Sequence, residues 1–173
     1  IKEIESWSRI LNQISNSILW ISDTNKIAKE NILKALKKRG VKIDNILFAP
    51  RMNSYEEHLS RHSCADLFLD TFSYNANSTA IDALWLGLPI ITLLGKSYTA
   101  RTSASFLTTL GLTELIANTQ KEYEDIIVSF AKEPNKLREL KNKLLNSKYN
   151  NPLFNSKLFT ENLERIYCNL VDN

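Results

Sequence analysis

The residues DLFLDT (66–71), YNANSTAID (74–82) and ALWLGLP (83–89) carry the pattern that decides the fold of this chain. The apolar run at 67–69 lies between two aspartates and is typical of a short strand that is buried on both faces. A polar loop follows the strand, and a helix follows the loop with Asn77 or Ser78 as the expected N-cap. The order strand, polar loop, helix predicts one unit of a parallel α/β fold.

The start of this helix has the features of a nucleotide-diphosphate site. The first N–H groups of a helix lack partners and carry a partial positive charge, which favours phosphate. Ser78 and Thr79 add hydroxyl donors, and Asp82 lies on nearly the same face as Ser78 because four residues separate them. We predict that Asp82 accepts hydrogen bonds from two ribose hydroxyls. On these residues alone, a plain capping motif with a solvated aspartate is the simpler interpretation.

Apolar periodicity along the rest of the chain predicts alternating strands and helices. The predicted strands are 17–21, 45–49, 67–69, 88–93 and, at an edge, 114–117. The predicted helices are 4–14, 26–39, 55–63, one from 78, 99–110, 120–132, 135–145 and 156–170. This alternation indicates a Rossmann-like parallel sheet with helices on both faces. Ligands bind at the carboxyl ends of such strands, where the loops after Ala49, Asp70 and Leu93 carry polar residues.

The composition is that of an ordinary soluble globular protein. The chain has 173 residues, 43% of them hydrophobic and 24% charged, with a net charge of +3. This length is sufficient for one domain, or for one domain with an appended helix. The dense basic run within 34–39 ends a predicted helix, where cations suit the helix dipole, so we interpret it as solvated rather than as a contact with nucleic acid or membrane. No apolar run approaches the roughly 20 residues of a membrane span, and no signal-peptide pattern opens the chain.

Several residue types limit the chemistry that this chain can perform and indicate its cellular compartment. The chain begins with Ile rather than Met, so we expect a fragment of a longer protein. Cys64 and Cys168 are distant from each other in apolar contexts, and we expect reduced, structural thiols of a cytoplasmic protein. Neither they nor the two histidines show metal-ligand spacing, so we predict no metal site. No Gly-x-Gly-x-x-Gly fingerprint supports a dinucleotide dehydrogenase, and no spacing indicates a catalytic triad. We expect Trp7, Trp20 and Trp85 in the core and His62 on the surface.

A series of short motifs connects the chain to a known family. EEHLSR (56–61) is similar to a Glu-Glu-His-x-x-Arg helix start, and residues 74–85 are similar to the motif Tyr-Asn-Ala-His-Thr-Thr-Ala-x-Asp-Ala-Leu-Trp. TLLG (92–95), Arg101, EYED (122–125) and PLFN (152–155) follow in the matching order and spacing. From about Trp7 to Tyr167 the chain resembles the C-terminal catalytic domain of the O-GlcNAc transferases, glycosyltransferase family 41, especially their bacterial relatives.

The resemblance implies a half-enzyme. Members of the family have two Rossmann-like domains that face each other across a cleft, the GT-B arrangement, and the C-terminal one binds the sugar nucleotide. This chain then comprises a nucleotide-sugar-binding domain at 1–155 and an amphipathic helix at 156–173, which packs back on that domain or on the N-terminal catalytic domain. Tetratricopeptide repeats precede both domains in the animal and many bacterial members.

The resemblance also assigns site residues. The expected nucleotide-sugar-binding residues are His58, Arg61, Asn77, Ser78, Thr79 and Asp82. Further candidates are Tyr55, Tyr74, Gly95 and Arg101. An imidazole or guanidinium plane at 58 and 61 can stack on a base, and the guanidinium can reach a phosphate. Gly95 permits either a close approach of the sugar or a turn, and Arg101 either faces the cleft or pairs with an acidic side chain.

The chain departs from the family pattern at three of these positions and at one neighbouring residue, Lys96. Asn77 stands where the family usually has His, and Ser78 where it usually has Thr. Asn donates a hydrogen bond but cannot become cationic. Tyr55 stands where animal members have a Lys that helps to bind the nucleotide, and Lys96 where Glu is common. Two phosphate contacts of the family, a Gln and a Lys, correspond to positions just before residue 1.

The function implied is transfer of N-acetylglucosamine from UDP-GlcNAc to Ser or Thr of a protein acceptor, by a metal-independent mechanism. The alternatives are another donor (GDP-fucose, or UDP-glucose with transfer to Asn), a non-catalytic binding or assembly module, and a general Rossmann-like nucleotide binder. Transfer needs the acceptor hydroxyl held against the anomeric carbon, and the resemblance places that task on the N-terminal domain. We therefore expect the catalytic residues on the acceptor side to lie elsewhere, and this chain alone to transfer no sugar.

Overall fold

The computed structural model describes residues 2–171, which form an α/β fold of short strands separated by helices. Its strands are β1 (Leu19–Ser22), β2 (Ile46–Ala49), β3 (Phe68–Leu69), β4 (Ile90–Leu93) and β5 (Ile116–Ala117). Its helices are α1 (Lys2–Gln13), α2 (Lys26–Lys37), α3 (Tyr55–Ser60), α4 (Ser78–Trp85), α5 (Thr102–Thr109), α6 (Gln120–Lys132), α7 (Pro134–Ser147) and α8 (Ser156–Val171). Short 3-10 turns at 43–45, 61–64, 98–100, 113–115 and 152–154 complete the chain.

The strands pair in parallel and form two sheets. β1 pairs with β2, with Leu19 opposite Ile46. The second sheet has the order β3–β4–β5, with Phe68 opposite Ile90 and Thr92 opposite Ile116. The prediction of a parallel α/β fold is confirmed. We expected one continuous sheet, but the structure has two. They are separate because β3 contributes only two residues and both of them pair with β4.

The core is built around the central strand β4. Ile90 and Ile91 are both fully buried, and neighbouring residues of a strand point to opposite faces, so helices cover both sides of the sheet. α4, α5 and α6 all pack against β4. Burial of each such side chain contributes about 1.5–3 kcal/mol.

A second, smaller cluster holds the β1–β2 sheet against α1 and α2. Its buried members are Leu11, Leu19, Leu36 and Val41. Leu69 of β3 packs against this cluster and against the main core. The two sheets are therefore joined by apolar packing at β3.

Three predictions about burial need correction. β3 is half-buried rather than buried on both faces, because it is the edge strand of its sheet. Trp20 is half-buried outside both core clusters, and Trp85 ends α4 at the surface, where it makes an edge contact with Phe154 at 5.2 Å between ring centroids. Trp7 is also half-buried, but it packs against the smaller core cluster, as predicted.

The cysteines also differ from the prediction. Cys64 and Cys168 are free thiols, as expected, but both are exposed, so the expectation of structural thiols in apolar contexts was wrong. Cys64 lies in the 3-10 turn after α3, whose buried residue is His62, and Cys168 lies on α8, which has no buried residue.

Helix boundaries follow the expected capping chemistry. α6 has the predicted bounds, and its N-cap Thr119 accepts a hydrogen bond from the N–H of Glu122. α3 is shorter than the predicted helix at 55–63, because the chain tightens into a 3-10 turn after Ser60. α8 begins at Ser156 and has no buried residue. Within residues 2–171, no helix is both long and apolar enough to cross a membrane.

Candidate nucleotide site

A cleft of about 520 Å³ opens at the carboxyl end of the β1–β2 sheet. One wall is Ser22 and Asp23 at the end of β1, and another is the loop 49–54 after β2. The third wall is α3, which contributes Tyr55, His58 and Arg61. This is the edge of a parallel sheet at which ligands bind in folds of this class.

Helix α3 is fixed at both of its ends. The Ser54 side chain accepts a hydrogen bond from the N–H of Glu57 and begins the helix. Arg61 at the other end donates from Nη1 to the carbonyl of Pro50 at 3.2 Å, and so holds the loop after β2 against the helix. Both predicted residues, His58 and Arg61, therefore line the same cleft.

His62 is buried, so the prediction that it lies on the surface was wrong. Its exposed fraction is 7%, and its Nδ1 lies 2.9 Å from the carbonyl oxygen of His58. The 3-10 turn after α3 rotates residue 62 inward. The His62 ring makes an edge contact with the His58 ring at 5.0 Å between ring centroids. His58 lines the cleft, and His62 packs against it from outside the cleft lining.

Tyr55, His58 and Asp82 form the Tyr55–His58–Asp82 cluster where α3 meets α4. The Tyr55 hydroxyl donates to Oδ1 of Asp82 at 2.7 Å, and Nε2 of His58 lies 4.0 Å from Oδ2 of the same carboxylate. Burial lowers the pKa of His58, as do the charges of Arg61 and His62, while the Asp82 carboxylate acts in the opposite direction. The cluster therefore brings together two candidates from α3, Tyr55 and His58, and one from α4, Asp82.

The start of α4 presents polar groups to solvent. Asn77 is the N-cap residue, as predicted, but its side chain makes no capping hydrogen bond. Its carbonyl accepts hydrogen bonds from the N–H groups of Ala80 and Ile81 at 3.0 and 3.2 Å. Asn77 and Ser78 are exposed and Thr79 is half-buried. The helix start thus offers backbone N–H groups, an amide and two hydroxyls to an anion.

The loop between β3 and α4 is organised by Asp70, which the sequence marked only as the end of a strand. Asp70 is fully buried, and its Oδ1 accepts the N–H groups of Thr71 and Ala76 at 3.0 and 2.8 Å. Its Oδ2 accepts the hydroxyl of Thr92 at 2.8 Å. Burial raises the pKa of Asp70, and these hydrogen bonds oppose that effect. The signal in the sequence was an aspartate directly after an apolar strand, at the ligand-binding edge.

A second set of hydrogen bonds ties this loop to the loop after β4. The N–H of Asn75 donates to the carbonyl of Thr99 at 2.8 Å, and the hydroxyl of Ser103 donates to the carbonyl of Ala76 at 3.3 Å. The hydroxyl of Thr71 donates to the carbonyl of Tyr74, whose ring is exposed. The Tyr74 ring is thus free to meet a ligand beside the helix start.

Gly95 and Arg101 contact each other. Arg101 donates from Nη1 to the carbonyl of Gly95 at 3.1 Å, so it neither pairs with an acidic side chain nor joins the Tyr55–His58–Asp82 cluster. A Cβ on Gly95 would lie 2.4 Å from the Cβ of Ala100. The glycine is therefore required by the packing of its own loop, which agrees with the second of the two alternatives, a turn glycine.

Other parts of the described chain offer no competing site. A cleft of about 370 Å³ lies between α1 and α6, but the Glu124 carboxylate in it is already bound by Ser6 and Arg9. Among residues 2–171, no three His, Cys, Asp or Glu side chains are grouped as a metal ion would need.

Known proteins share both the sequence and the fold. A UDP-N-acetylglucosamine–peptide N-acetylglucosaminyltransferase of Caenorhabditis elegans is 32% identical over 161 residues, which cover 93% of this chain and 14% of that protein. A probable enzyme of the same name, SEC, of Arabidopsis thaliana is 33% identical over 165 residues, or 95% of this chain and 17% of that protein. The chain thus spans less than a fifth of these relatives.

The structural comparison agrees with the sequence. A mutant O-GlcNAc transferase of Thermobaculum terrenum superposes with a TM-score of 0.85 and 29% identity, over 95% of this chain and 32% of that one. The predicted resemblance to bacterial O-GlcNAc transferases is confirmed, as is the GT-B type of fold. The sequence model of Glycosyl transferase family 41 matches residues 2–163. The chain therefore belongs to glycosyl transferase family 41.

Proposed function

We propose that this chain is the donor-binding half of a protein O-glycosyltransferase, and that it binds a nucleoside-diphosphate sugar. The observation that carries this proposal is the meeting of α3 and α4, which places the Asp82 carboxylate beside His58 and one turn from the exposed start of α4. The three parts of the ligand then have separate binding positions. The base lies in the cleft beside His58, the ribose at Asp82, and the diphosphate at Asn77, Ser78 and Thr79.

A different interaction holds the ligand at each of these three binding positions. The cleft supplies the backbone groups of the loop 49–54 and the plane of the His58 ring to a base. The carboxylate is an acceptor matched to the two ribose hydroxyls. The diphosphate is stabilised by the helix dipole and by N–H and hydroxyl donors. The same donors stabilise the leaving diphosphate as the sugar departs, in a mechanism to which we assign no metal.

UDP-N-acetylglucosamine is the donor that we favour, since the names of the Caenorhabditis and Arabidopsis relatives carry it. The acceptor is then a Ser or Thr hydroxyl of a protein, positioned by an N-terminal catalytic domain of the full-length enzyme and presented by tetratricopeptide repeats. Exposed Phe159, Ile166 and Leu170 on α8 supply an apolar face for that domain. The free, exposed thiols suit a cytoplasmic protein.

One observation favours a second candidate function, a binding module without transferase activity. Asn77 stands at the start of α4, where the family motif usually has His, and an amide cannot carry the charge of an imidazolium. Nucleotide binding is common to both candidates, whereas transfer of the sugar belongs to the first alone.

The ribose assignment is tested by replacing Asp82 with Asn. A hydrogen bond to a charged group contributes about 1.5–3 kcal/mol, so we expect Asp82→Asn to weaken UDP binding roughly tenfold or more. Inorganic pyrophosphate does not reach Asp82 in this arrangement, and its affinity should change little. Asp44→Asn, at an exposed aspartate of the 3-10 turn before β2, is the matched control. Equal loss of UDP and pyrophosphate binding in Asp82→Asn would show that Asp82 is structural.

A further inference from the structure

The hydrogen bond between Tyr55 and Asp82 occupies the carboxylate that we assign to the ribose. The Tyr55 hydroxyl lies 2.7 Å from Oδ1 of Asp82, and the Tyr55 ring is stacked near the His58 ring at 6.2 Å between centroids and 23° between planes. The other oxygen, Oδ2, lies 4.0 Å from Nε2 of His58. Both oxygens of the carboxylate therefore face groups of α3.

Two ribose hydroxyls would need these same oxygens. A carboxylate is an acceptor only, and a vicinal diol presents two O–H donors that match its two oxygens. In the structure, Oδ1 of Asp82 already accepts a hydrogen bond from the Tyr55 hydroxyl on α3. Oδ1 has a second lone pair, but the phenol occupies the α3 side of this oxygen, so a diol that spans both oxygens competes with the phenol.

The position of Tyr55 permits the phenol to move away from Asp82. Tyr55 is the first residue of α3, and its exposed fraction is 59%, so its ring is not held by the core. Moving the ring away breaks one hydrogen bond and leaves the apolar packing of the domain unchanged. The ring can then remain near the edge of the cleft that Tyr55 lines with His58.

We propose that Tyr55 is a specificity-determining residue that competes with the ribose hydroxyls for Asp82, so that a ribonucleoside diphosphate binds more weakly while the phenol contacts the carboxylate. This inference rests on the proposed function, because it takes the Asp82 carboxylate as the ribose acceptor. It predicts that the phenol lowers the affinity for ligands with both ribose hydroxyls. Ligands that do not use Asp82 are unaffected.

The test is Tyr55→Phe, which removes the hydroxyl and keeps the ring. Tyr167→Phe is the matched control, since Tyr167 on α8 has the same exposed fraction of 59%. The probes are UDP, 2′,3′-dideoxyuridine diphosphate and pyrophosphate, each titrated into the chain by NMR or calorimetry. We expect Tyr55→Phe to bind UDP about three- to tenfold more tightly, as the loss of one competing hydrogen bond implies. The affinities for the other two probes should be the same as in the unsubstituted chain.

Each outcome decides the matter. Unchanged or weaker UDP binding by Tyr55→Phe overturns the inference, and if Asp82→Asn still weakens UDP binding selectively, the proposed function stands without it. Equal tightening of all three probes also overturns the inference, because the hydroxyl would then act on the whole site. UDP binding by Tyr55→Phe where the unsubstituted chain shows none supports the inference. No UDP binding by either chain overturns the inference and the proposed function together.

Discussion

Replacement of Asp70 should disorganise the loop that begins α4. In Asp70→Ala the N–H groups of Thr71 and Ala76 and the hydroxyl of Thr92 lose their common acceptor. A buried donor left without a partner costs about 1–3 kcal/mol, but Thr71 is exposed and water can reach part of the loop, so we expect a total loss of about 2–5 kcal/mol. That is a large fraction of the roughly 5–15 kcal/mol by which a domain is stable.

Asp70→Asn is the matched control. An Asn oxygen can accept both N–H groups, and its amide can donate to Thr92 if the threonine hydroxyl turns round. All three contacts can then survive, so Asp70→Asn should retain most of the stability that Asp70→Ala loses. Urea unfolding followed by tryptophan fluorescence measures both variants, and the midpoint of Asp70→Ala should fall by about 1–2 M.

The pH dependence of these variants tests the buried charge. Burial raises the pKa of Asp70 above its ordinary value of 3.8, so the folded chain binds the proton more tightly than the unfolded chain does. As pH rises through the window above 3.8, the unsubstituted chain loses stability relative to Asp70→Asn, which does not ionise there. The difference in midpoint should therefore shift in favour of Asp70→Asn as the pH rises above 3.8. A constant difference, or Asp70→Ala as stable as the unsubstituted chain, would refute this reasoning.

Two other side chains give separate tests. Gly95→Ala places a Cβ 2.4 Å from that of Ala100 and should lower the free energy of unfolding by about 1–3 kcal/mol; the double variant with Ala100→Gly should recover part of that loss, and no recovery would mean that the clash is not the cause. NMR titration of the two histidines, assigned with His62→Gln, should give His58 a pKa below 6.5. Asp82→Asn should lower that pKa further, because the carboxylate favours the imidazolium, and a rise would contradict the geometry of the cluster.

Local patterns were sufficient to predict most of the elements. The strand predicted at 88–93, which the structure has at 90–93, and the helix at 120–132 followed from apolar periodicity, a signal that acts over a few residues. The start of α4 at Asn77 and Ser78 was likewise local. The functional interpretation came from the order and spacing of the family motifs. Composition and periodicity alone did not indicate it.

Long-range contacts account for what could not be predicted. Asp70 is satisfied by Thr92, which is 22 residues away, and Tyr55 reaches Asp82 over 27 residues. Gly95 is constrained by Ala100 through a turn whose shape the residue types did not specify. His62 is buried because α3 ends at Ser60 and the chain continues as a 3-10 turn that contains residue 62. Each of these needs the fold before it can be seen.

Binding of a uridine nucleotide by this chain is the most direct test of the nucleotide site. Titration with UDP, ADP and GDP, followed by calorimetry or NMR, should show UDP as the preferred ligand. The phosphate seat here is built from Asn77, Ser78 and Thr79 without a lysine or arginine, so we expect a weak Kd of roughly 10⁻⁴ M or above, about −5 kcal/mol. The signals that shift should include those of His58 and the start of α4. A preference for GDP would point to the alternative donor. An equal response to all three nucleotides, or none, would contradict the assignment of the cleft to the base.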